Sequence, residues 1–445
     1  MNDYCFVFFV FCLLIYIFAQ QLAKVAVVED LLQMKRLKIL YVTHSEAMQG
    51  ANLALLELML QLREKGLVEP VVLMPKVAKG YQGNNLYKAC QHHGIECYSY
   101  AFFRFHNSKR YASYLRCLAN VVCYPYVFFK LRKLRVDLVH SNGSVLSLGG
   151  YLSRLKKVPH VWHFREAGAL HYGTACLLGK RYEKWVYGMG DVFVVISKAL
   201  QDYYSMLIGA EKLRLVYDGV GIPGGVVLSA HDGDVFQLCM VGLVHPPKNQ
   251  LDALKALDIL VNEWHVTPVH LTIIGYEEQS YVSQLRAFVS EKHLQDHVTF
   301  LGERTDVDKL LTGMDVGLML SRFEAFGRVT VEYMQHGLGV VATATGANAE
   351  IVEDGKTGYL VPLGDYHSLD DRIRVLMNEK ELLSEFSKAG RKKALDIFTA
   401  EANARGVYAV YESLFDDSTS TTASDASTGS NTSTTSDVLA GSVAR

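Results

Sequence analysis

Short runs rich in β-branched residues alternate with amphipathic stretches through most of the chain, from about residue 36 to residue 415. The runs form two series, 38–44, 69–75, 136–142, 160–164 and 191–197, followed by 236–242, 270–275, 298–302, 315–320, 339–343 and 358–362. Strands that alternate with helices build parallel sheets covered by helices on both faces. The chain is therefore predicted to be an α/β protein.

A Gly-rich segment at 217–234 separates the two series and has the composition of a linker. We therefore predict two Rossmann-like domains, 36–222 and 223–398, that face each other across a cleft. In sheets of this kind ligands bind beyond the carboxyl ends of the strands, where the loops converge. The functional residues are expected in those loops.

The two ends of the chain differ in composition from this middle. Residues 4–19 form an uninterrupted apolar run, whereas 416–445 consists mostly of Ser, Thr, Ala, Gly and Asp. The Ser/Thr-rich tail is predicted to be disordered, because it has too little apolar surface to offset the entropy of the chain.

Three interpretations of the hydrophobic extension 1–35 stay open. Its apolar run is slightly shorter than a bilayer span. A secretory signal would carry a positive charge ahead of that run, where this chain has only Asp3. Met34 is followed at once by KRLKILYV, a basic start that leads into a buried strand. The extension is either upstream sequence included by a wrong start codon, a membrane anchor or a cleaved signal.

Composition and motifs exclude several classes of protein. The chain has 45 Lys and Arg against 46 Asp and Glu, which argues against a nucleic-acid-binding protein, and its eight Cys include no CxxC pair. No GxGxxG opens the first helix, so the fingerprint of a nicotinamide enzyme is missing. DGKTG at 354–358 lacks the leading Gly of a P-loop, since Glu350 stands there. His160 and His163 lie in a predicted strand, where positions three apart point to opposite faces, so no shared metal is expected.

Two glutamates flank the start of a predicted helix after the strand 315–320. They are Glu324 and Glu332, with Gly327 between them. Free N–H groups at a helix N-terminus form a site for an anion such as a diphosphate, and a glycine there allows close approach. Glu332, one turn into the helix, is placed to accept hydrogen bonds from a ribose. The alternative is that Glu324 only caps the helix and Glu332 is a solvated surface charge.

The spacing of this pair resembles the E-x7-E signature of the retaining GT-B glycosyltransferases usually numbered family 4. Further segments are similar to motifs of that family and follow its order: QGANLALLEL (49–58), DLVHSNG (137–143), VWHFRE (161–166), VVISKAL (194–200), GLVHPPKNQ (242–250), IIG (273–275), FLG (300–302) and TGANAEIVEDGKTGYLVP (345–362). The resemblance covers roughly 36–415. It implies the GT-B fold, with an N-terminal acceptor-binding domain, a C-terminal nucleotide-sugar-binding domain and a crossover helix at 399–415.

The resemblance also implies roles for single residues. Glu324 and His163 would be catalytic residues that contact the transferred sugar, Lys248 would neutralise the donor diphosphate, and Glu332 would bind the nucleotide ribose. The other donor-binding residues would be Gly50, Gly242, Phe326, Gly327, Arg328 and Val329. No cofactor and no metal is expected, because Lys248 and the helix N-terminus would meet the charge of the leaving group.

The turn after Gly242 departs from the family pattern. Leu243 stands where the family usually has an Arg, and Pro247 stands where an acidic residue is common. Loss of an Arg at a diphosphate removes a charge-assisted contact that typically contributes about 1.5–3 kcal/mol. We hypothesise that Arg328 supplies the missing charge.

The function implied is transfer of a sugar from a nucleotide-diphosphate sugar to a glycan or lipid-linked acceptor, with retention of the anomeric configuration, in the synthesis of a cell-surface polysaccharide. The expected location is the cytoplasm, at the inner face of the plasma membrane. The rival interpretation is a non-catalytic GT-B-like subunit that binds nucleotide or glycan and supports a partner enzyme. Leu243 favours the rival, whereas Lys248, Glu324 and Glu332 favour the enzyme.

The segment 98–135 holds eight Lys or Arg, eleven aromatic residues and no acidic residue. Basic and aromatic character together suit peripheral docking on an anionic membrane surface. The other interpretation is a pair of ordinary first-domain helices with aromatic side chains in the core and basic ones in solvent. Both stay open.

A chain that starts at Met34 is expected to be soluble and as active as the full chain, because the folded pattern begins only at KRLKILYV. The measurement compares sugar transfer and sedimentation with membranes for the two chains. If the shortened chain loses both membrane association and activity on a lipid acceptor, the wrong-start interpretation fails.

Overall fold

The computed structural model of the chain describes residues 36–76, 85–107, 111–168, 173–222 and 233–424, without the side chains of 416–424. The three interpretations of 1–35 concern residues that lie outside this description. So do most of the predicted linker and residues 425–445 of the predicted tail.

Seven parallel strands form the sheet of the first domain, in the order β3–β2–β1–β5–β6–β8–β9. They are β1 (Leu37–Thr43), β2 (Val68–Pro75), β3 (Glu96–Tyr100), β5 (Leu138–Asn142), β6 (His160–Phe164), β8 (Val192–Val195) and β9 (Leu213–Leu215). Two further strands, β4 (His106–Asn107) and β7 (Ala175–Cys176), form a short antiparallel pair outside this sheet. The sheet strands β5, β6 and β8 are buried along their whole length, as expected where helices cover both faces.

The helices of the first domain lie between these strands. They are α1 (Gly50–Glu64), α2 (Leu86–His92), α3 (Tyr111–Leu131), α4 (Leu148–Lys156), α5 (Lys180–Tyr187) and α6 (Lys198–Ser205). α1 shows why they form: Leu55, Leu58 and Leu62 recur at helical spacing, and all three are buried against the sheet.

The second domain contains six parallel strands in the order β12–β11–β10–β13–β14–β15. They are β10 (Phe236–Val241), β11 (Val269–Ile274), β12 (Val298–Gly302), β13 (Val316–Met319), β14 (Gly339–Thr343) and β15 (Tyr359–Val361). Its helices are α7 (Gln250–Asp258), α8 (Gln279–Glu291), α9 (Val307–Leu311), α10 (Arg328–Gln335), α11 (Asn348–Ile351), α12 (Tyr366–Asn378) and α13 (Lys380–Ile397).

Both sheets have the topology predicted for Rossmann-like domains. The strand order reverses between β1 and β5 and again between β10 and β13, and a crevice for ligands opens beyond such a reversal. Every run predicted as a strand is a strand, within two residues at either end. The α/β fold class is therefore confirmed, and β3 and β9 are strands that the sequence analysis missed.

The last helix, α14 (Ala400–Ser424), returns to the first domain and packs on α1. Its Tyr411 is fully buried, with the hydroxyl 2.8 Å from Nδ1 of His140. The helix runs past residue 415, where the sequence analysis begins the disordered tail. That boundary is too early, because each further helical residue costs little once the preceding turns are packed.

Glu350, in α11, connects the second domain to the first. Its Oε2 and Oε1 accept hydrogen bonds from the backbone N–H groups of Lys198 (2.8 Å) and Ala199 (2.9 Å) at the start of α6. A carboxylate at a helix N-terminus satisfies free donors and meets the positive end of the helix dipole. Glu350 thus acts as a helix cap supplied by the other domain.

Aromatic packing continues the same interface. The ring of Phe398, at the end of α13, lies 5.4 Å from that of Tyr217 and 5.7 Å from that of Phe326, between ring centroids. Phe326 is almost fully buried and precedes α10. The interior of the protein is therefore continuous across the domain boundary.

Glu350→Ala is expected to lower the free energy of unfolding by roughly 1–2 kcal/mol, because it removes two charge-assisted hydrogen bonds at a helix N-terminus. Thermal denaturation measures the change. Glu353→Ala is the matched control, since its largely exposed carboxylate makes an ion pair with Lys393 and should contribute at most about 1 kcal/mol. Equal losses in both variants would contradict the capping role.

Candidate active site

A cleft of about 570 Å³ lies between the two domains, beyond the carboxyl ends of both sheets. Loops after β1 and β6 line it from the first domain, and loops after β10 and β13 line it from the second. Its charged and imidazole side chains are His44, Arg104, His106, Arg165, Glu166 and Asp218 on one side and Lys248, Glu324 and Arg328 on the other. This volume and mixed lining suit a small polar ligand.

Two helix N-termini meet at this cleft. Gly50 begins α1, Arg328 begins α10, and both residues line the cavity. A Cβ placed on Gly50 would lie 3.9 Å from Cδ of Arg328, so the two helix starts are neighbours. Neither Gln49 nor Gly327, which precede them, caps its helix with a side chain. Free N–H groups and the positive ends of two helices therefore point to one place, which favours an anion.

Glycines hold the loop before α10 in position. Gly327 has φ 92°, in the left-handed region that glycine adopts freely. Gly346 comes so close to the loop that a Cβ there would lie 2.2 Å from the backbone oxygen of Glu324. The N–H of Ala347 donates to that same oxygen at 2.9 Å. The backbone of Glu324 is therefore fixed by the segment after β14.

Lys248 and Glu324 form an ion pair in the wall of the cleft. Lys248 ends the short helical turn Pro246–Lys248 after β10, and Glu324 follows β13. The N–H of Arg322 donates to the oxygen of Pro247 at 2.9 Å, which ties the two turns together. The structure thus brings together two residues that the sequence analysis assigned separately to the donor site.

The Arg328 side chain reaches across to the first domain. Its Nη2 donates to both carboxylate oxygens of Glu57, at 3.1 and 3.0 Å, and its Nη1 donates to the oxygen of Gly219. Glu57 belongs to α1, and Gly219 belongs to the segment that leaves the first domain. The guanidinium therefore lies at the edge of the cleft and is held by a carboxylate of the opposite domain.

A second buried pair lies beside this one. Arg165 donates from Nη1 to Oδ1 of Asp218 and from Nε to Oδ1 of Asn142 at 2.6 Å. Arg165 and Asp218 are both almost completely buried, although atoms of each reach the cleft wall. Buried charges persist only when they are paired and hydrogen-bonded, which is the case here.

The carboxyl groups around Arg328 have shifted pKa values. Burial raises the pKa of both Glu57 and Glu332. In each case the positive charge of Arg328 acts in the opposite direction but does not cancel the shift. Burial acts to lower the pKa of Arg328, but Glu57, Asp218 and Glu332 outweigh it, so the pKa is raised. Arg328 therefore stays charged, surrounded by three carboxyl groups.

Most predicted donor-site residues lie in the wall of the cleft. These are Gly50, Lys248, Glu324, Phe326, Gly327, Arg328 and Val329. Gly242, Glu332 and His163 do not line it. Glu332 is half-buried one turn inside α10, behind Arg328. The roles of all these residues toward a donor stay predictions.

His163 lies inside the first domain instead of facing the cleft. It belongs to β6 and is fully buried, with its ring 5.3 Å from that of His140 and its Nδ1 3.4 Å from Nη2 of Arg165. Burial, with Arg165 acting in the same direction, holds the pKa of His163 well below its usual value. His163 does not reach the cleft because β6 runs through Phe164 and the side chains beyond its carboxyl end begin with Arg165. Its role toward a sugar stays a prediction.

The cleft residues of the first domain were missed by the sequence analysis. Glu166 accepts hydrogen bonds at Oε1 from the N–H of Ser144 (2.8 Å) and its hydroxyl (3.2 Å). Burial lowers the pKa of His44. The negative charge of Glu166 opposes this shift, whereas the positive charge of Arg104 adds to it. Their position in the sequence could have indicated them, because His44 directly follows β1, and Arg165 and Glu166 directly follow β6.

Leu243 does not line the cleft. Its side chain is 40% exposed in the turn after β10, and its backbone oxygen accepts from Nε2 of Gln250 at 3.0 Å. Within the described ranges, the cations that the second domain contributes to the cleft are Lys248 and Arg328. The position that lacks the expected Arg is therefore filled by an apolar side chain at the surface.

Two family models match adjoining parts of the chain. The model described as Glycosyltransferase Family 4 matches residues 48–222, and the model described as Glycosyl transferases group 1 matches residues 229–393. Together they cover about three quarters of the sequence. The boundary between the two matches falls between the two sheets, although β1 (Leu37–Thr43) precedes the first match.

Several curated proteins are similar to parts of the chain. A lipopolysaccharide core biosynthesis mannosyltransferase, LpsB of Rhizobium meliloti, is 32% identical over 30% of this chain and 39% of its own length. The N-acetyl-alpha-D-glucosaminyl L-malate synthase of Bacillus anthracis is 32% identical over 29% of this chain and 33% of its own length. The chain thus spans well under two thirds of these two relatives. A second core mannosyltransferase, LpcC of Rhizobium leguminosarum, is 24% identical over 65% of this chain and 81% of its own.

Solved structures share the fold. HepE of Anabaena, in complex with UDP and glucose, superposes with a TM-score of 0.69 at 21% identity, over 85% of this chain and all of that one. A glycosyltransferase from Rickettsia africae superposes with a TM-score of 0.70 at 18% identity, over 86% of this chain and 99% of that one. Through the two family models, which together match about three quarters of its length, the chain belongs to the glycosyltransferase families that they describe, and these solved structures show that it has the GT-B fold.

Proposed function

We propose that the chain transfers a sugar from a nucleotide-diphosphate sugar to a glycan or lipid-linked acceptor, with retention of the anomeric configuration, in the synthesis of a cell-surface polysaccharide. The observation that carries this proposal is the meeting of the α1 and α10 N-termini at one cleft, with Lys248 and Arg328 beside them. Such an arrangement concentrates positive potential where a diphosphate would bind. The names of the two rhizobial relatives support the polysaccharide part.

The second domain is the donor side in this proposal. The diphosphate would lie between the two helix starts, within reach of Lys248, and would compete with Glu324 for the ammonium group. Glu324 would then be released toward the sugar. The nucleotide would extend along α10, where Glu332 would bind its ribose. UDP in the complex of the similarly folded HepE supports a nucleoside diphosphate as the ligand.

The chemistry would use positive charge that is already in place. As the bond between the anomeric carbon and the diphosphate oxygen breaks, negative charge grows on that oxygen. Lys248 and the N–H groups at the start of α10 would stabilise it, so we propose that no metal is required. The acceptor hydroxyl would attack the anomeric carbon from the face the diphosphate leaves, and its proton would pass to the leaving phosphate. Attack on that face retains the configuration.

The acceptor would lie against the first domain. Glu166 is fixed there by the N–H and hydroxyl of Ser144 and lines the cleft, so its carboxylate would bind an acceptor hydroxyl. His44 and Arg104 lie nearby. A carboxylate held in place by the backbone can orient a hydroxyl without reorganising.

A non-catalytic subunit is the second candidate. Leu243 in place of a cation and the engagement of Arg328 by Glu57 favour it. Hydrolysis of labelled nucleotide sugars separates the two, because an active transferase leaks sugar to water whereas a binding subunit does not. A thermal-shift screen over nucleotide sugars identifies the donor, since a ligand at 100 times its dissociation constant stabilises by about 2.7 kcal/mol.

Glu324→Ala is expected to lower kcat about 100-fold with a smaller effect on donor binding, because Glu324 would act at the sugar in the transition state. Glu332→Ala is expected to weaken donor binding more than turnover. Initial rates of sugar release with the donor found in the screen, measured with and without EDTA, test both. Glu353→Ala, an exposed glutamate of the same domain, is the control. If all three variants match the wild type, Glu324 and Glu332 have only a capping and a surface role. Loss of activity on addition of EDTA would overturn the metal-free mechanism.

The contact between Glu57 and Arg328 should affect donor affinity. Arg328→Ala is expected to raise the dissociation constant of the nucleoside diphosphate roughly 10- to 100-fold. Glu57→Gln is expected to lower this dissociation constant several-fold, because the carboxylate that competes for Arg328 loses its charge. Leu243→Arg should restore part of the affinity only in the Arg328→Ala background. Titration calorimetry of the single and double variants measures the coupling. Glu64→Gln, an exposed position of α1, is the control. Additive effects of Leu243→Arg and Arg328→Ala would show that Arg328 does not serve the diphosphate.

A further inference from the structure

One face of α3 exposes a row of large apolar side chains. Val121, Val122 and Tyr111 are 75%, 76% and 79% exposed. The complete row, which we call the α3 stripe, is Tyr111, Leu115, Leu118, Val121, Val122, Tyr126 and Phe129. The spacing of three or four residues places most of them on one side of the helix. Contiguous apolar surface of this kind marks a binding surface in a folded protein.

The opposite face of α3 is packed, so the exposure of the stripe does not come from a detached helix. Cys117, Tyr124, Val127 and Leu131 are buried against the first domain. Asn120 accepts from the N–H of Phe103 and donates to its oxygen, both at 2.9 Å. The helix therefore presents its apolar row from a fixed position. One face of α3 belongs to the core, as expected of an ordinary first-domain helix, and the other face exposes apolar side chains, as expected of a docking surface.

Basic side chains surround the C-terminal end of the stripe. Lys130, Arg132, Lys133 and Arg135 lie there, and all are exposed. The guanidinium of Arg132 lies 3.9 Å from the ring centroid of Phe129, and the ammonium of Lys130 lies 5.4 Å from that of Tyr126. The charged groups thus lie at the margin of the apolar surface, where the headgroup layer would meet a helix embedded at its apolar face.

We propose that the α3 stripe docks the protein on a bilayer that contains anionic lipids, with the helix lying in the interface. Within the described part of the chain, no helix is long and apolar enough to cross a membrane. The apolar row would enter the boundary between headgroups and acyl chains, and the basic cluster would bind lipid phosphates.

Docking by α3 would also place the cleft near the lipid surface. Asn120 ties the helix to the backbone of Phe103, and the next residues along the chain, Arg104 and His106, line the cleft. If the proposed transfer reaction is correct, the acceptor enters from the membrane side and is lipid-linked. The docking itself does not depend on that reaction.

Two other occupants of the stripe are less suited to its charge. A second copy of the chain would present the same basic surface, and 98–135 contains no acidic residue to pair with it. The apolar run 4–19 carries no charge, so it would leave the basic cluster unused. An anionic bilayer matches both the apolar row and the cations.

Co-sedimentation of the full chain with lipid vesicles tests the proposal. One set of vesicles contains phosphatidylcholine alone, and the other, anionic set also contains phosphatidylglycerol. The wild type should bind at least tenfold more tightly to the anionic vesicles, and added salt should remove the difference. Val121→Glu/Val122→Glu should abolish this preference. Lys130→Gln/Lys133→Gln/Arg135→Gln should reduce this preference by up to about fivefold for each cation removed. Met206→Glu/Leu363→Glu, which places two charges on exposed apolar residues elsewhere, is the matched control and should bind as the wild type does.

Sedimentation velocity and sugar release complete the test. Release of sugar from the donor should be equal in all variants, so loss of docking is separated from loss of the proposed reaction. Unchanged vesicle binding by the stripe variant would overturn the proposal. So would a wild-type dimer that the stripe variant converts to a monomer, because a second copy would then cover the stripe. Binding that is equal on both kinds of vesicle would assign membrane contact to the uncharged N-terminal run instead.

Discussion

The contact of Arg328 with Glu57 joins α10, whose N-terminus lies at the cleft, to the first helix of the opposite domain. Asp218 and Glu332 add negative charge around the same guanidinium, and Arg165 balances Asp218. Removing one member of a buried ionic group leaves an unpaired charge that costs about 3–5 kcal/mol. The relative position of the two helix starts therefore depends on this network, and so does the shape of the cleft.

The same network balances the positive charge that lies around the cleft. Two helix N-termini, Lys248 and Arg328 would repel one another in a low-dielectric cleft without compensation. Glu324 and Glu57 supply it by pairing with the two cations. A diphosphate entering the cleft would exchange one set of negative partners for another, so binding would rearrange ion pairs instead of creating charge.

Sequence reasoning predicted the sheet strands that contain β-branched residues and missed the two that contain none. These are β3 (ECYSY), a half-exposed edge strand, and β9 (LRL), a strand of three residues at the other edge of the same sheet. At the site, the motif order located the loops correctly, but it did not show that Arg165 and Glu166 line the cleft whereas His163 does not. Which residue of HVWHFRE first clears the sheet depends on where β6 ends, and only the register with β5 and β8 determines that. The pairing of Arg328 with Glu57 joins residues far apart in sequence and has no local signature.

The return of α14 to the first domain affects how the protein can be divided. Tyr411 is buried beside Tyr41 and His140, so the end of the chain completes the core in which its beginning lies. A fragment cut within the linker would therefore leave the first half with an exposed apolar groove along α1 and the second half with an unsupported helix. Exchange of halves between proteins of this fold should succeed only when the segment from Ala400 onward stays with the N-terminal half, so the modular unit of this fold is discontinuous in sequence.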